Sequence, residues 1–233
     1  MCPSIGIGIR INKSFQPYWT PRELTDGNTV AWYDSQDLST ITKDAGTGEV
    51  SLWKDKLLSG HDLICNDATA KPIWSLDGIL FDGINDYLRT VSFVFEQPEF
   101  IYILLKQKTF IQNSYILDGN DGDSGGLYQN WASPMIRLIA GTFSQPSSDL
   151  LMNTWGIVRI LFNHDVVGGS KLQVNENVAT VGDFGVNNMN GFVIGGHWNA
   201  GNWANIEVKE IILRKSADNP EIEQIIYDYL KKK

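Results

Sequence analysis

The sequence predicts an all-β sandwich, preceded by an extended N-terminal segment and closed by a short C-terminal helix. Short apolar segments recur along the chain between clusters of Gly, Asn and Asp, the pattern of strands joined by turns. Two of them, at 100–105 and 157–162, are nearly all apolar and predict central strands covered on both faces. Helical periodicity is convincing only at the C-terminal end. With 233 residues, of which 42% are hydrophobic and 11% aromatic, the chain can bury a sizeable core. At this length one sandwich buries roughly 70–75% of its unfolded surface without disulfide staples. One large domain over 29–233 is therefore expected, behind an anchor or linker segment over 1–28.

In order along the chain, Ile5, Ile7, Ile9 and Ile11 alternate with Gly6, Gly8 and Arg10, a period of two with one apolar face. The glycines weaken such a strand on its own. It suits either an edge strand of the same sandwich or an anchor added to a partner's sheet edge. Pro17 to Pro21 and Asp26-Gly27-Asn28 then carry turn chemistry. From Thr29 onward the predicted strands cover 30–34, 50–54, 79–81, 87–91, 100–106, 114–118 and 126–129. Further strands are predicted at 136–142, 156–163, 171–175, 192–196 and 205–214. Asp82-Gly83 and Asn85-Asp86 separate two short apolar runs, a strand–turn–strand signal in which glycine enters positive φ without a Cβ clash. Gly168-Gly169 predicts a hairpin that returns 171–175 onto 157–162, with Leu172 and Val174 inward. For the helix, Asn219 is a suitable N-cap, Pro220 suits the first turn, and Glu221 and Glu223 complement the positive end of the dipole. Ile222, Ile225, Ile226 and Tyr229 form one apolar stripe.

Acidic residues outnumber basic ones by 27 to 19, a formal charge of −8, so the electrostatic footprint of nucleic-acid binding is missing. Two cysteines, Cys2 and Cys65, make no disulfide framework. The start lacks the basic and apolar regions of a secretory signal, and no apolar run is long enough to insert in a membrane. The expected setting is the cytoplasm, or a particle released by lysis.

Several segments together resemble laminin-G-like, concanavalin A-like jelly rolls. They are Leu52-Trp53-Lys54-Asp55 with Ser59-Gly60, the Phe81-Asp82-Gly83 to Asp86-Tyr87-Leu88 signature, Asn153-Thr154-Trp155, Leu172 to Asn175, Phe192 to Gly195 and Ile206 to Arg214. The Pro3 to Ile9 start, Ala31-Trp32-Tyr33-Asp34 and Lys209 to Arg214 are similar to proteins of Bacteroidales phages. That resemblance implies a non-enzymatic subunit of a head or tail fibre of the crAss-like type, residing in the virion. It further implies other virion proteins as partners through Ile5, Ile7, Ile9 and Ile11, homo-oligomerisation, and adhesion to host-surface polysaccharide. The alternatives are a free bacterial carbohydrate-binding lectin and a polysaccharide-degrading enzyme.

Catalytic motifs are sparse. The Glu-x-Asp-x-x-Glu motif of β-glucanases on this fold is missing. Glu207 and Glu210 fall on opposite faces of a strand unless a bulge intervenes, too poorly placed to flank one glycosidic bond. No cofactor is called for. Asp118, Asn120, Asp121 and Asp123 offer hard oxygen ligands for calcium, although the EF-hand order fails and an acidic turn has the same composition. Trp131, with the loop residues His197, Trp198, Asn199, Asn202 and Trp203, forms the candidate glycan site. Indoles cover the apolar face of a sugar, and amides and imidazole bond its hydroxyls.

Overall fold

The structure is a computed structural model that describes residues 19–122, 124–199 and 201–233. Ile5, Ile7, Ile9 and Ile11 lie outside the described residues, as does Asp123. The elements in chain order are β1 (Thr29–Asp34), β2 (Ile41–Lys43), β3 (Val50–Trp53), β4 (Leu63–Ile64), β5 (Ile73–Trp74), β6 (Ile79–Asp82), β7 (Leu88–Arg89), β8 (Glu99–Thr109) and β9 (Tyr115–Asp118). They continue with β10 (Gly126–Gln129), β11 (Met135–Ile139), β12 (Phe143–Asp149), β13 (Trp155–Phe162), β14 (Ser170–Val174), β15 (Thr180–Gly182), β16 (Val193–Ile194), β17 (Asn205–Arg214) and a helix, α1 (Pro220–Leu230).

These strands form the two sheets of an all-β sandwich. The first has eight strands in the order β15-β14-β13-β8-β17-β6-β5, with β1 beside the distal half of β17. The second has nine, in the order β12-β11-β10-β9-β16-β7-β4-β3-β2. The apolar runs predicted to be central are β8 and β13, paired antiparallel from Trp155↔Lys106 to Phe162↔Glu99. The expected hairpin is present, with Val158↔Val174 and Leu161↔Lys171 in register. Alternate residues of both sheets meet between them, among them Phe81, Leu88, Ile103, Ile116, Leu138, Ile160 and Ile206. Five strands escape the sequence reading: β2, β4 and β5 are too short for a period, and β12 and β15 end the two sheets with little apolar content.

The Asp-Gly turn does more than close a hairpin. β6 belongs to the first sheet and β7 to the second, so the turn carries the chain across the sandwich. Asp82 Oδ1 accepts from the Ile84 and Asn85 amides at 2.7 and 3.3 Å. Asp86 Oδ2 accepts from the Asp82 amide at 2.9 Å. Gly83 has φ +77°, and a Cβ there would lie 2.9 Å from the Asn205 nitrogen.

The outer face of the first sheet is covered by α1, which packs on Trp32, Phe100, Tyr102, Leu104, Ile157, Leu161 and Ile212. Asn219 caps it, its side chain accepting from the Ile222 amide at 3.0 Å. The buried stripe is Glu223, Ile226, Tyr227, Tyr229 and Leu230, whereas Ile222 and Ile225 are only half-buried. The shift follows from charge: Arg159 and Lys171 rise from the sheet and hold Glu223 at 2.9 and 2.6 Å. Trp19, ahead of β1, lies edge-on to Tyr229 at 5.5 Å. Fully buried Arg214 binds Asp26 and Asp218, each at 2.6 Å, and donates to Thr29 Oγ1 at 2.7 Å.

β17 also corrects the sequence argument about its two glutamates. Its register against β8 slips between Val208 and Glu210, leaving Lys209 as an extra residue. Ile206, Val208, Ile211 and Leu213 point into the core, so Glu207 and Glu210 both face outward on the same side. Glu207 is bound by Lys106 at 2.6 Å. Glu210 accepts from the Trp32 indole at 2.7 Å and binds Lys233 at 3.0 Å.

Candidate functional site

Among the described residues no helix covers the outer face of the second sheet. On it Tyr115, Tyr128 and Ile139 form a small cluster separate from the core. Tyr128 stands opposite both Arg137 and Tyr115 in the register, and the two tyrosine rings stack with centroids 5.4 Å apart. His197 meets Tyr115 edge-on at 4.6 Å, and its Nε2 lies 3.5 Å from Asp118 Oδ2. A row of aromatic and charged groups therefore runs across the consecutive strands β9, β10 and β11 and is joined by His197 from a loop much later in the chain.

The loop with two tryptophans folds back on itself, the His197 amide donating to the Gly201 carbonyl at 2.9 Å. Its exposed Asn199 turns its Oδ1 to His197 Nδ1 at 2.8 Å. Asn202, exposed with φ +51°, uses its carbonyl to accept from the Tyr115 amide at 2.7 Å. The Trp198 amide donates to Asp118 Oδ2 at 3.2 Å, and its ring lies over Gly122, where a Cβ would be 3.2 Å from the indole nitrogen. Trp203 stacks on Tyr87 with centroids 5.9 Å apart and planes 11° apart. Both tryptophans are half-buried. Trp131 stands apart, 63% exposed on its own turn, with the Arg137 guanidinium 5.1 Å above its ring.

Tyr87 leads from this loop to a cleft of about 480 Å³ lined by Ile64, Asn66, Tyr87, Arg89, Thr90, Val91, Ser92 and Asn120. Arg89 Nη2 donates to Asn120 Oδ1 at 2.9 Å. Asn120 is itself fixed, its Nδ2 donating to the Thr90 carbonyl at 3.3 Å and to Ser92 Oγ at 3.0 Å. Burial pushes the Tyr87 hydroxyl above its ordinary value, so it remains a hydrogen-bond donor through the neutral range. Sequence reasoning found the loop but not the cleft. The available signal was the alternation in Tyr87-Leu88-Arg89, which sends Leu88 into the core and its neighbours outward together.

Of the expected calcium ligands, Asp123 lies outside the described residues, and the other three have the following partners. Asp118 Oδ1 accepts from the Gly119 amide at 2.9 Å, Asn120 is committed to Arg89, and Asp121 Oδ1 accepts from the Gly122 amide at 2.8 Å. Among the described residues no group of three or more metal-binding side chains comes together.

Neither a protein-family model nor a curated protein matches the chain. Solved structures do. The sialidase of Trypanosoma rangeli in complex with sialic acid superposes with a TM-score of 0.61 at 14% identity, over 88% of this chain and 33% of that one. An arabinofuranosidase complexed with arabinofuranosyl-alpha-1,2-xylobiose gives 0.57 at 8% identity, over 78% of this chain and 50% of that one. Domain 4 of AbnA, a GH43 extracellular arabinanase from Geobacillus stearothermophilus in complex with arabinotriose, gives 0.54 at 13% identity, over 87% of this chain and 98% of that one. At these identities the likeness establishes the β-sandwich fold, and the chain spans only a third of the sialidase. The comparisons overturn the expectation of a non-enzymatic phage fibre subunit, because the solved structures that share the sandwich include a sialidase, an arabinofuranosidase and a domain of a GH43 arabinanase. The exclusion of an enzyme fails with it, and the β17 bulge removes the geometric argument that supported that exclusion.

Proposed function

We propose that this chain is the sugar-binding β-sandwich of a carbohydrate-active enzyme, holding the glycan on which glycoside hydrolysis takes place. The observation that carries this reading is the cleft beside Tyr87, where an aromatic ring backed by Trp203 adjoins the Arg89–Asn120 pair. A sugar placed there sets its C–H face on Tyr87 and Ile64 while Asn66, Arg89 and Asn120 meet its hydroxyls. The arabinotriose complex of the arabinanase domain, nearly all of which is matched by this chain, supports the same reading. The test is calorimetric titration with a panel of plant and host oligosaccharides. Tyr87→Ala or Trp203→Ala should weaken binding at least tenfold, with circular dichroism showing both variants folded at the titration temperature. Unchanged affinity in both variants would refute the site.

A second reading, hydrolysis by this chain itself, draws on Glu207 and Glu210 sharing one face. Burial, reinforced by the nearby Asp34 charge, raises the Glu210 carboxyl above its ordinary value. Glu207, despite its burial, is held below the ordinary value by hydrogen bonding from Lys106. Carboxyls on one face whose protonation is driven apart in this way suit an acid and a base. Reducing-end release that is abolished by Glu210→Gln and by Glu207→Gln would favour this reading. No release by the unaltered chain from any glycan it binds would rule it out.

A further inference from the structure

We infer that the cleft selects a sugar acid, recognising its carboxylate through Arg89; the inference rests on the sugar-binding reading above and names the class of glycan. The argument begins with charge. The chain carries a net −8 and an excess of carboxylates, so a guanidinium that lines a cleft without a carboxylate partner among the described residues stands out. Arg159 is paired with Glu223, and Arg214 with Asp26 and Asp218, while Arg22 donates to the Lys56 carbonyl away from the cleft. Arg89, half-buried in the cleft wall, bonds instead to the neutral amide oxygen of Asn120.

That contact fixes the fork without neutralising it. Asn120 is held from its other side by the Thr90 carbonyl and the Ser92 hydroxyl, so its oxygen cannot turn away. A guanidinium has five N–H donors in one plane, which leaves a face for a bidentate partner. A planar carboxylate fits that fork, and charge-assisted pairs of this kind are the strong ones. The rest of the cleft suits the rest of a sugar ring. Tyr87 and Ile64 offer apolar surface, while Asn66 and Ser92 offer polar atoms at the rim. Its volume of about 480 Å³ falls within the roughly 300–1,000 Å³ of small-molecule sites. The overall negative charge does not forbid an acidic ligand, because exposed charges farther than about 8 Å are largely screened at physiological ionic strength.

The experiment uses the full chain on an immobilised panel of hexuronate and sialoside oligosaccharides, each printed beside its carboxyl-reduced twin, together with neutral and sulfated glycans. The expected result is binding of at least one acidic glycan roughly ten- to a hundredfold tighter than its reduced twin. Arg89→Gln should abolish that preference, bringing the acid and its reduced twin to the same affinity. Arg89→Lys, which keeps the charge and loses the fork, should retain only part of it. An unchanged melting temperature in both variants shows that the fold is intact. Equal binding of acid and reduced twin by the unaltered chain would overturn the acid assignment and leave sugar binding standing. Arg89-dependent binding confined to sulfated glycans would also overturn it, in favour of a tetrahedral anion. If nothing on the panel binds, both readings fall together.

Discussion

Replacing Arg214 by methionine tests how the segment before β1 is joined to the sandwich. The guanidinium is fully buried and reaches Asp26 and Asp218 at 2.6 Å each, with Thr29 Oγ1 at 2.7 Å. Asp218 is nearly as enclosed and also accepts from the Tyr102 hydroxyl at 2.8 Å. Methionine fills much of the same space, so the dominant loss is electrostatic: two carboxylates remain without their cation. Breaking a buried pair by removing one partner costs about 3–5 kcal/mol. For a domain of this size each kcal/mol moves the midpoint by about 2–4 °C, so Arg214→Met should melt about 6–20 °C lower at pH 7. The hydrogen bond from Arg214 holds the Asp26 carboxyl below its ordinary value, against the opposing effect of burial. The stabilisation from Asp26 is therefore present above pH 3.8, its unperturbed value, and is lost as the pH falls through the depressed folded value. The gap between variant and parent should accordingly narrow below about pH 4. Urea unfolding and calorimetry between pH 7 and pH 2.5 measure both quantities. A loss under about 1 kcal/mol, or a loss of equal size at every pH, would show that pairing is not what Arg214 contributes.

Burial pushes the Asp86 carboxyl up to about 6, so its favourable contribution is complete below pH 3.8 and lost as the pH rises toward 6. Asp86→Asn keeps an acceptor for the Asp82 amide and should gain up to ~3 kcal/mol relative to the parent between pH 4 and pH 7 by denaturant titration; a difference independent of pH would contradict this. Gly83→Ala should destabilise the fold by at least ~1 kcal/mol, since φ is +77° and a Cβ would lie within 2.9 Å of the Asn205 nitrogen; an unchanged midpoint would show that the turn relaxes. Asn219→Ala removes the cap on α1 and should cost about 1 kcal/mol, read from the same unfolding curves.

The sequence made the sandwich legible because its centre is written in period-two and fully apolar strands. β8, β13 and β14 follow from composition and one Gly-Gly turn, and α1 follows from its cap. The edges were not legible: a strand of two or three residues has no period, and β12 is polar and carries Pro146. The bulge at Lys209 left one mark that the sequence reading did not use, the successive polar residues Lys209 and Glu210 that shift the apolar alternation by one position. For the candidate site, the tryptophan loop could be read from composition. The cleft could not, because Arg89 and Asn120 become neighbours only through the β9-β16-β7 order, in which a strand from late in the chain lies between two earlier ones.

The crossing at Asp82–Asp86 has a mechanical consequence. Tyr87 and Arg89 follow directly on a stiff corner, so their positions are set by Phe81 on one wall and Leu88 on the other, both without exposed surface. The contact face is thus an extension of the interior rather than a free loop. Trimming Phe81, which never sees solvent, should be felt as altered grip on a ligand some distance away.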